Sequence, residues 1–171
     1  MTEKTCDNNN DTKDSVAGMR KVKRMPRDPK VKPYKRHNAR KFALQALYEW
    51  LVTQDDLIDI EVYFFNEFNF KKTDVDYFKK HLHGVPASID ELDALMKPFL
   101  DRRFEELSPI ELTVLRMAIF ELKYSQDVPF PVVINEALEL NKSFGATEGF
   151  KFVNGVLDKV ASQLRRGEFE G

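Results

Sequence analysis

From residue 39 onward, apolar residues recur at three- and four-residue steps in almost every segment of the chain. The first such series consists of Ala39, Phe42, Ala43, Ala46, Leu47, Trp50 and Leu51. This spacing places the apolar side chains on one face of an α-helix. Because no segment gives a convincing strand pattern, the sequence predicts an all-α fold of about seven helices.

Local start signals place several of these helices. In SPIE, Ser108 is an N-cap, Pro109 takes the first helical position, and Glu111 completes a capping box. In SIDE, Ser88 and Glu91 have the same spacing and predict a second box. Other predicted N-caps are Asn38, Thr73 or Asp74, and Thr147.

The sequence also predicts where two helices end and how segment 56–69 folds. Segment 56–69 has strand propensity, but its helical neighbours favour helix. The helix after residue 74 should end near Gly84-Val85-Pro86, because a residue before proline avoids helical geometry. A helix from about Pro131 to Phe144 should end at Gly145 in a left-handed C-cap.

The helix that begins at SPIE carries the apolar stripe Ile110, Val114, Leu115, Ala118, Ile119 and Leu122. A single stripe buries one face and leaves the other to water or a partner. The pattern therefore predicts Glu111, Arg116 and Lys123 on the exposed face.

Charge divides the 171-residue chain unequally. Residues 1–41 contain 13 Lys or Arg and 5 Asp or Glu, although the formal net charge of the whole chain is only −1. Residues 1–31 are polar and basic and contain Pro26 and Pro29, so we expect a disordered basic leader before a domain at 32–168. A basic end on an acidic body predicts a polyanionic ligand there and a different partner elsewhere.

The lone cysteine, Cys6, excludes an internal disulfide framework, and no stretch of about 18 apolar residues is present. These features predict a soluble, cytoplasmic protein. No nucleophile with its base, metal cluster or phosphate loop is visible, so we expect no enzyme activity, no cofactor and no metal. His81 and His83 lie two residues apart and are interpreted as solvated, and Asp90 and Asp93 as helix-surface residues.

Several segments resemble the bacterial transcription antitermination factor NusB family. They are ARKFALQALYEW, DYFKKHLHGV, MKPFLDR, VLRMAIFEL and DVPFPVVINEALELNKSFGATEGFKFVNGVLDK. The resemblance covers roughly Lys32 to Lys159. It implies two packed helical bundles and a non-enzymatic protein that binds boxA RNA of ribosomal RNA leader transcripts. It also implies a NusE-type small-subunit ribosomal protein as partner, within an antitermination complex of other Nus factors on RNA polymerase.

The resemblance implies specific RNA-binding positions. They are Lys32, Lys35, Arg36, His37, Arg40, Gln45, Phe99, Arg102, Lys151 and Phe152. Lys and Arg would neutralise phosphates, and Phe152 would stack an unpaired base beside the Lys151 ammonium. The alternatives from sequence alone are that the basic flank only solubilises the chain and that Phe152 belongs to the core.

The protein-partner positions implied by the same resemblance are Tyr48, Glu105, Glu111 and Glu148. An acidic face suits a basic ribosomal protein, although Glu111 could serve only its capping box. The family usually has an unbroken arginine run before its first helix, whereas this chain has KRHNAR, with His37 and Asn38 in place of two cations. We expect the leader to compensate by adding non-specific RNA affinity.

Two other functions remain open at this point. NusB-like domains also occur fused to ribosomal RNA methyltransferases, but such an enzyme needs a catalytic domain for which this chain has no room. A membrane-surface protein could use the basic leader and the amphipathic segment from Ala39 to Leu51 as an interfacial anchor.

Overall fold

The structure is a computed structural model that describes residues 31–146 and 148–171. Over these ranges the chain forms eight α-helices, two 3₁₀ turns (Lys97–Phe99 and Phe104–Glu106) and no strand, which confirms the all-α prediction. The expected disordered leader and the Thr147 N-cap lie outside the described residues. The helices are α1 (Pro33–Thr53), α2 (Leu57–Glu67), α3 (Val75–Ala87), α4 (Ile89–Met96), α5 (Pro109–Tyr124), α6 (Phe130–Phe144), α7 (Gly149–Leu164) and α8 (Arg166–Phe169).

The helices pack in two groups that share α5. In the first group, α1, α2 and α3 contact one another. In the second, α5, α6 and α7 contact one another, and α4 contacts α5 and α7. Helix α5 also contacts α1 and α3 of the first group, so it lies at the centre of the molecule. This arrangement agrees with the two helical bundles that the resemblance implied.

Helix α1 begins earlier than the apolar pattern predicted. Pro33 occupies its first turn and Lys32, with an extended backbone, precedes it. Proline is tolerated there because the first amide groups of a helix have no intrahelical acceptor. Asn38 is therefore not an N-cap. It lies inside α1, where its Nδ2 donates a hydrogen bond to the carbonyl oxygen of Lys72, 2.8 Å away.

Helices α2 and α3 begin at the aspartates that precede them. Asp56 accepts a hydrogen bond from the Ile58 amide, and Asp74 accepts one from the Tyr77 amide. The helical interpretation of segment 56–69 is confirmed for Leu57–Glu67. Its rings Phe64, Phe65 and Phe68 contact Phe78, Phe70 and Phe42, respectively. They form an aromatic cluster with α1 and α3, in which the ring of Phe70 lies 4.6 Å from that of Phe42 and 5.0 Å from that of Phe78.

The junction between α3 and α4 differs from the prediction. Helix α3 continues through Pro86 to Ala87, and Ser88 makes no capping hydrogen bond, so the predicted SIDE box is wrong. A proline in the last turn removes only one backbone donor from the helix. The two helices therefore follow each other with Ser88 as the sole residue between them.

The capping box of α5 is confirmed. Ser108 Oγ accepts a hydrogen bond from the Glu111 amide at 3.2 Å, and Glu111 Oε2 accepts one from the Ser108 amide at 3.2 Å. Helix α6 ends at Phe144 as expected. Gly145, however, has φ −102°, so it is not the left-handed C-cap that the sequence suggested.

Helix α5 is buried on more than its apolar stripe. Arg116 was expected in solvent, but it is buried, and its Nε and Nη2 each donate to an oxygen of Asp93 at 2.8 Å. Asp93 was likewise expected on a helix surface and is buried. Because neighbouring helices surround α5, its polar residues need partners inside the protein.

The C-terminal segment closes over the turn between α5 and α6. Arg165 is 3% exposed, and it donates to the carbonyl oxygens of Leu122 at 2.6 Å, Ser125 at 3.0 Å and Val128 at 3.1 Å. A cation at the C-terminal end of a helix also interacts favourably with the helix dipole. Glu168 Oε2 accepts a hydrogen bond from the Phe130 amide at the start of α6, 3.0 Å away.

Candidate nucleic-acid interface

The basic segment forms the first two turns of α1 rather than a separate tail. Lys32 is exposed and Lys35 is partly exposed, so both ammonium groups are open to a ligand. Because the segment is helical, the spacing between these charges is fixed, whereas the charges of a disordered tail would adopt many different positions. A fixed register suits repeated phosphates along a strand.

Arg36 is oriented by three neighbouring side chains. Its Nη1 donates to Asp127 Oδ2 at 2.7 Å, its Nε lies 3.6 Å from Asp74 Oδ2, and its guanidinium carbon lies 4.6 Å from the centre of the Tyr77 ring. Burial opposes its charge, but the hydrogen bond to Asp127 and the negative charges of Asp127 and Asp74 outweigh burial, and the pKa of Arg36 lies above its usual value. The result is a fixed, partly exposed cation.

Arg40 does not belong to the exposed basic surface. It is 4% exposed, and its Nε and Nη2 donate to the carboxylate of Glu121, which also accepts a hydrogen bond from the Tyr77 hydroxyl. Burial alone would raise the pKa of Glu121, but the charge of Arg40 and the hydrogen bonds that Arg40 donates hold that pKa well below its usual value. This ion pair removes the Arg40 charge from reach of a passing phosphate and fixes α1 to α5.

His37 and Gln45 lie at the edge of the same helix. His37 Nδ1 is 2.7 Å from Glu136 Oε2, so this side chain links α1 to α6. Gln45 is partly exposed and its Nε2 donates to the carbonyl oxygen of Lys41 at 3.1 Å. Both side chains keep some exposed surface, but each already has a partner within the protein.

The structure brings together the four remaining RNA-binding candidates from two distant segments. The guanidinium carbon of Arg102 lies 3.9 Å from the centre of the Phe152 ring, and Lys151 beside it is exposed. Phe99 belongs to the 3₁₀ turn that contacts α7, and it packs against the core. Phe152 is partly buried, so it both packs on the protein and presents a stacked Arg102 to solvent.

The four partner candidates divide into three exposed residues and one buried residue. Glu105, Glu148 and Tyr48 are exposed. Glu111 is only 7% exposed, which corrects its expected place on an open acidic face. Its carboxylate closes the capping box of α5, as the alternative interpretation held.

An apolar groove adjoins Tyr48. It has a volume of about 360 Å³ and is lined by residues of α1 and α2, among them Gln45, Val52 and Tyr63, and by Phe68 just after α2. Val52 is 60% exposed, and Ile58 and Val62 add further exposed apolar surface. Residues 42–70 contain no Lys or Arg and several carboxylates, so this surface is apolar with an acidic surround. The sequence alone did not predict this groove. A signal was present, because Tyr48 and Val52 are apolar residues of α1 that lie outside its predicted buried stripe.

The acids that orient the basic residues were also missed. Asp127 contacts Arg36 from 91 positions away, Glu136 contacts His37 from 99, and Glu121 contacts Arg40 from 81. No local motif joins such pairs, because only the packing of α1 against α5 and α6 brings them together. Single-sequence reasoning had no signal for them.

The two histidines of α3 have different environments. His81 is fully buried, with Nδ1 2.9 Å from the carbonyl oxygen of Tyr77, so its interpretation as a solvated residue is wrong. His83 is exposed and hydrogen-bonds Glu61. Among the described residues, no three His, Cys, Asp or Glu side chains cluster as metal ligands would.

Comparison with known proteins assigns the family. The family model described as "NusB family" matches residues 37–162. The chain belongs to the NusB family. Transcription antitermination protein NusB of Hahella chejuensis is 52% identical over 134 residues, which cover 78% of this chain and 90% of that protein. The Yersinia pestis protein of the same name is 51% identical over 136 residues, or 80% and 99% of the two chains.

Solved NusB structures have the same fold. A structure of T. maritima NusB is 27% identical with a TM-score of 0.68, and the match covers 82% of this chain and 99% of that one. A structure of antitermination factors NusB and NusE in complex with dsRNA gives 25% identity and a TM-score of 0.68, with 77% and 99% coverage. Lys32, Lys35 and Arg36 precede the first residue matched by the NusB family model.

Proposed function

We propose that this protein is a non-enzymatic, RNA-binding transcription antitermination factor. It acts in the cytoplasm as a scaffold that joins boxA-type single-stranded RNA to a NusE-type small-subunit ribosomal protein. The assembly functions with other Nus factors on RNA polymerase. The names of its relatives and its likeness to the NusB chain solved with NusE and dsRNA support this proposal.

The convergence of Phe99, Arg102, Lys151 and Phe152 carries the RNA part of the proposal. Arg102 stacks on Phe152, and its outer face offers a planar cation on which an unpaired base can stack. Lys151 supplies a charge for the adjacent phosphate. Unpaired bases expose the faces that this arrangement needs, and so we propose single-stranded RNA as the ligand of this chain.

The basic end of α1 provides a second contact for the same strand. Helix α6 contacts both α1 and α7, so a strand that crosses α6 would meet Lys32, Lys35 and Arg36 at one side and Lys151 at the other. The fixed charges of α1 would then set the register of the strand, and the α7 cluster would stack its bases.

The groove beside Tyr48 is the proposed surface for the protein partner. Its apolar lining would receive apolar side chains, and its acidic surround would attract a basic ribosomal protein. Glu105 and Glu148 are exposed and would extend the acidic contact. The buried Glu111 would act indirectly, because its capping box holds the start of α5 in place.

An RNA titration tests the proposal. Fluorescence anisotropy with labelled boxA RNA and with a scrambled RNA, each with and without the NusE-type protein, should give tightest binding for boxA RNA with the partner present. Lys151→Ala should weaken binding, and Lys159→Ala, an exposed lysine later on α7, is the matched control. Equal binding of both RNAs, unaffected by the partner, would contradict the proposed mechanism.

The two alternative functions have less support. The apolar side chains of α1, including Ala43 and Leu47, are buried against other helices, so they are not free to enter a bilayer. Among the described residues, no helix has the length and apolar character needed to cross a membrane. The Hahella and Yersinia relatives are matched over 90% and 99% of their lengths, which leaves little of those proteins for a methyltransferase domain.

A further inference from the structure

A cavity of about 180 Å³ lies beside the basic end of α1. Its apolar walls come from the chain around the start of α1 and the chain around the start of α6, and consist of Val31, Pro33, Val128, Pro129 and Val132. Pockets for drug-sized ligands measure about 300–1,000 Å³. This cavity is smaller, and its dimensions suit a single planar ring system.

Arg40 contributes an unused hydrogen-bond donor to this cavity. Its Nε and Nη2 are engaged by Glu121, whereas Nη1 has no hydrogen bond to a described residue and lies 3.7 Å from Glu136 Oε2. Arg40 and Glu136 both line the cavity. A guanidinium that is 4% exposed therefore keeps one donor nitrogen on the cavity side.

Two carboxylates in the lining provide acceptors. Glu136 Oε2 pairs with His37, and Asp127 Oδ2 accepts from Arg36, while the second oxygen of each carboxylate has no hydrogen bond to a described residue. The cavity thus combines apolar walls with a free cationic donor and free anionic acceptors. A purely apolar ligand would leave these individual donor and acceptor atoms without hydrogen bonds, at a cost in free energy.

We propose that this cavity binds a guanine base of the RNA, a specificity site that rests on the proposed RNA-binding function. The N1–H and N2–H groups of guanine donate to the two oxygens of the Glu136 carboxylate, of which Oε2 also keeps its contact with His37, and O6 accepts from Arg40 Nη1. The apolar walls cover the faces of the ring, and the attached phosphate lies near Lys32 or Lys35 at the cavity mouth. Proteins that read single-stranded RNA commonly bind splayed-out bases through such edges.

Guanine fits better than the other bases because it presents two adjacent N–H donors beside one carbonyl acceptor. Two neighbouring donors match the two oxygens of a carboxylate, as in the bidentate pairs that arginine makes with carboxylates. Uracil offers one such donor, cytosine and adenine only their amino group. The paired Arg40 and Glu136 would therefore discriminate by base identity, whereas the lysines near them would bind phosphate regardless of sequence.

Guanosine monophosphate and inosine-substituted RNA test this site with the full-length protein. In methyl NMR spectra, millimolar guanosine monophosphate should shift the Val128 and Val132 signals more than the adenosine, cytidine and uridine nucleotides do. Replacing the bound guanine of boxA-type RNA by inosine, which lacks the N2 amino group, should weaken binding roughly tenfold. Each guanine is replaced in turn, because one position should respond most.

Glu136→Gln should abolish this preference for guanine over inosine, because the variant loses the carboxylate that accepts both N–H groups. Glu139→Gln, an exposed position on α6, is the matched control and should keep the preference. Val132→Phe fills the cavity and should remove both the nucleotide-induced shifts and the preference. Thermal unfolding of each variant shows whether the fold is retained.

The outcomes separate the two proposals. If the protein binds RNA with the expected salt dependence but is indifferent to inosine, and nucleotides leave the Val128 and Val132 signals unchanged, the base site is overturned and the RNA-binding function stands. Nucleotide-induced shifts without any binding of boxA RNA would support the base site as a nucleotide site and overturn the proposed function. Absence of both responses would overturn both.

Discussion

Arg40 of α1 and Glu121 of α5 form an ion pair inside the protein, with both side chains about 4% exposed. The hydroxyl group of Tyr77 on α3 donates to the same carboxylate, so three helices meet at one buried charge. A buried pair of this kind gives little net stability over an apolar core, but it makes either partner alone very costly. Helix α1 is therefore stable in its position only when α3 and α5 are packed against it.

Arg40→Ala should lower the free energy of unfolding by about 3–5 kcal/mol, because it leaves the Glu121 carboxylate buried without its cation. Urea unfolding monitored by circular dichroism measures this change. Lys41→Ala, an exposed neighbour on α1, is the control and should change stability by less than about 0.5 kcal/mol. Equal effects of the two substitutions would contradict the role given to the pair.

Acid should destabilise the protein partly through Glu121. The pKa of this carboxyl is held far below its usual value of about 4.5 in the folded protein, so its contribution is present above pH 4.5. As pH falls below 4.5, the unfolded chain takes up a proton that the folded protein does not, and stability declines. Glu121→Gln should be less stable at neutral pH, and its stability should fall less steeply between pH 4.5 and 3. Parallel curves for the two proteins would refute this assignment.

Phe152→Ala should weaken boxA RNA binding by about 1–3 kcal/mol, the range found when a base loses its aromatic platform. The substitution also frees Arg102 from its stacked position. Lys151→Ala should instead lower the slope of log affinity against log salt by about 0.7, because one phosphate contact is lost. Anisotropy titrations at several salt concentrations measure both effects. A purely structural role for Phe152 would show as a lower melting temperature with unchanged RNA affinity in the folded protein.

His37→Arg should raise RNA affinity, and the gain should be largest at low salt, because it adds a permanent cation to the basic end of α1. An arginine can still pair with Glu136, which His37 contacts. Asn38→Arg should give a smaller gain, since it loses the hydrogen bond to the Lys72 carbonyl oxygen. Affinities measured from low to physiological salt test this order. Unchanged affinity of His37→Arg at low salt would exclude that position from the phosphate path.

Val52→Asp should weaken binding of the NusE-type partner, because it places a charge in the apolar groove beside Tyr48. RNA binding by the protein alone should change little, since Val52 lies at the opposite end of α1 from the basic turns and two helical turns beyond Gln45, the one RNA-binding candidate that lines the groove. Ala94→Asp on the exposed side of α4 is the control. Isothermal titration calorimetry measures the affinity of each variant for the partner. If both variants bind the partner as tightly as the parent protein does, the surface assignment is wrong.

The contrast between α5 and α1 shows what sequence alone can specify. The start of α5 is encoded within four residues, because a serine, a proline and a glutamate at fixed spacing satisfy the first amide groups of the helix. The start of α1 was missed because its first turn is mostly exposed and has no apolar period to reveal it. Arg36 and Arg40 look alike in sequence, yet one is partly exposed and the other is buried.

The exposure and pairing of those two arginines depend on acidic residues that are distant in sequence. Glu121, Asp127 and Asp74 reach them only after α3 and α5 have packed on α1. Family resemblance supplied the candidate positions, whereas the burial of Arg40 and Glu111 required the packed structure. The same limit applies to Arg102 and Phe152, whose contact joins segments 50 residues apart.

The anchoring of Arg165 bears on how the protein matures during its synthesis. Arg165 holds the carbonyl groups around Ser125 and Val128, and Asp127 between them is the residue that orients Arg36. Arg165 must therefore leave the ribosome before this turn is fixed. A nascent chain that lacks Arg165 would expose the basic turns of α1 without this support, so selective RNA capture should begin only after Arg165 has packed against the turn.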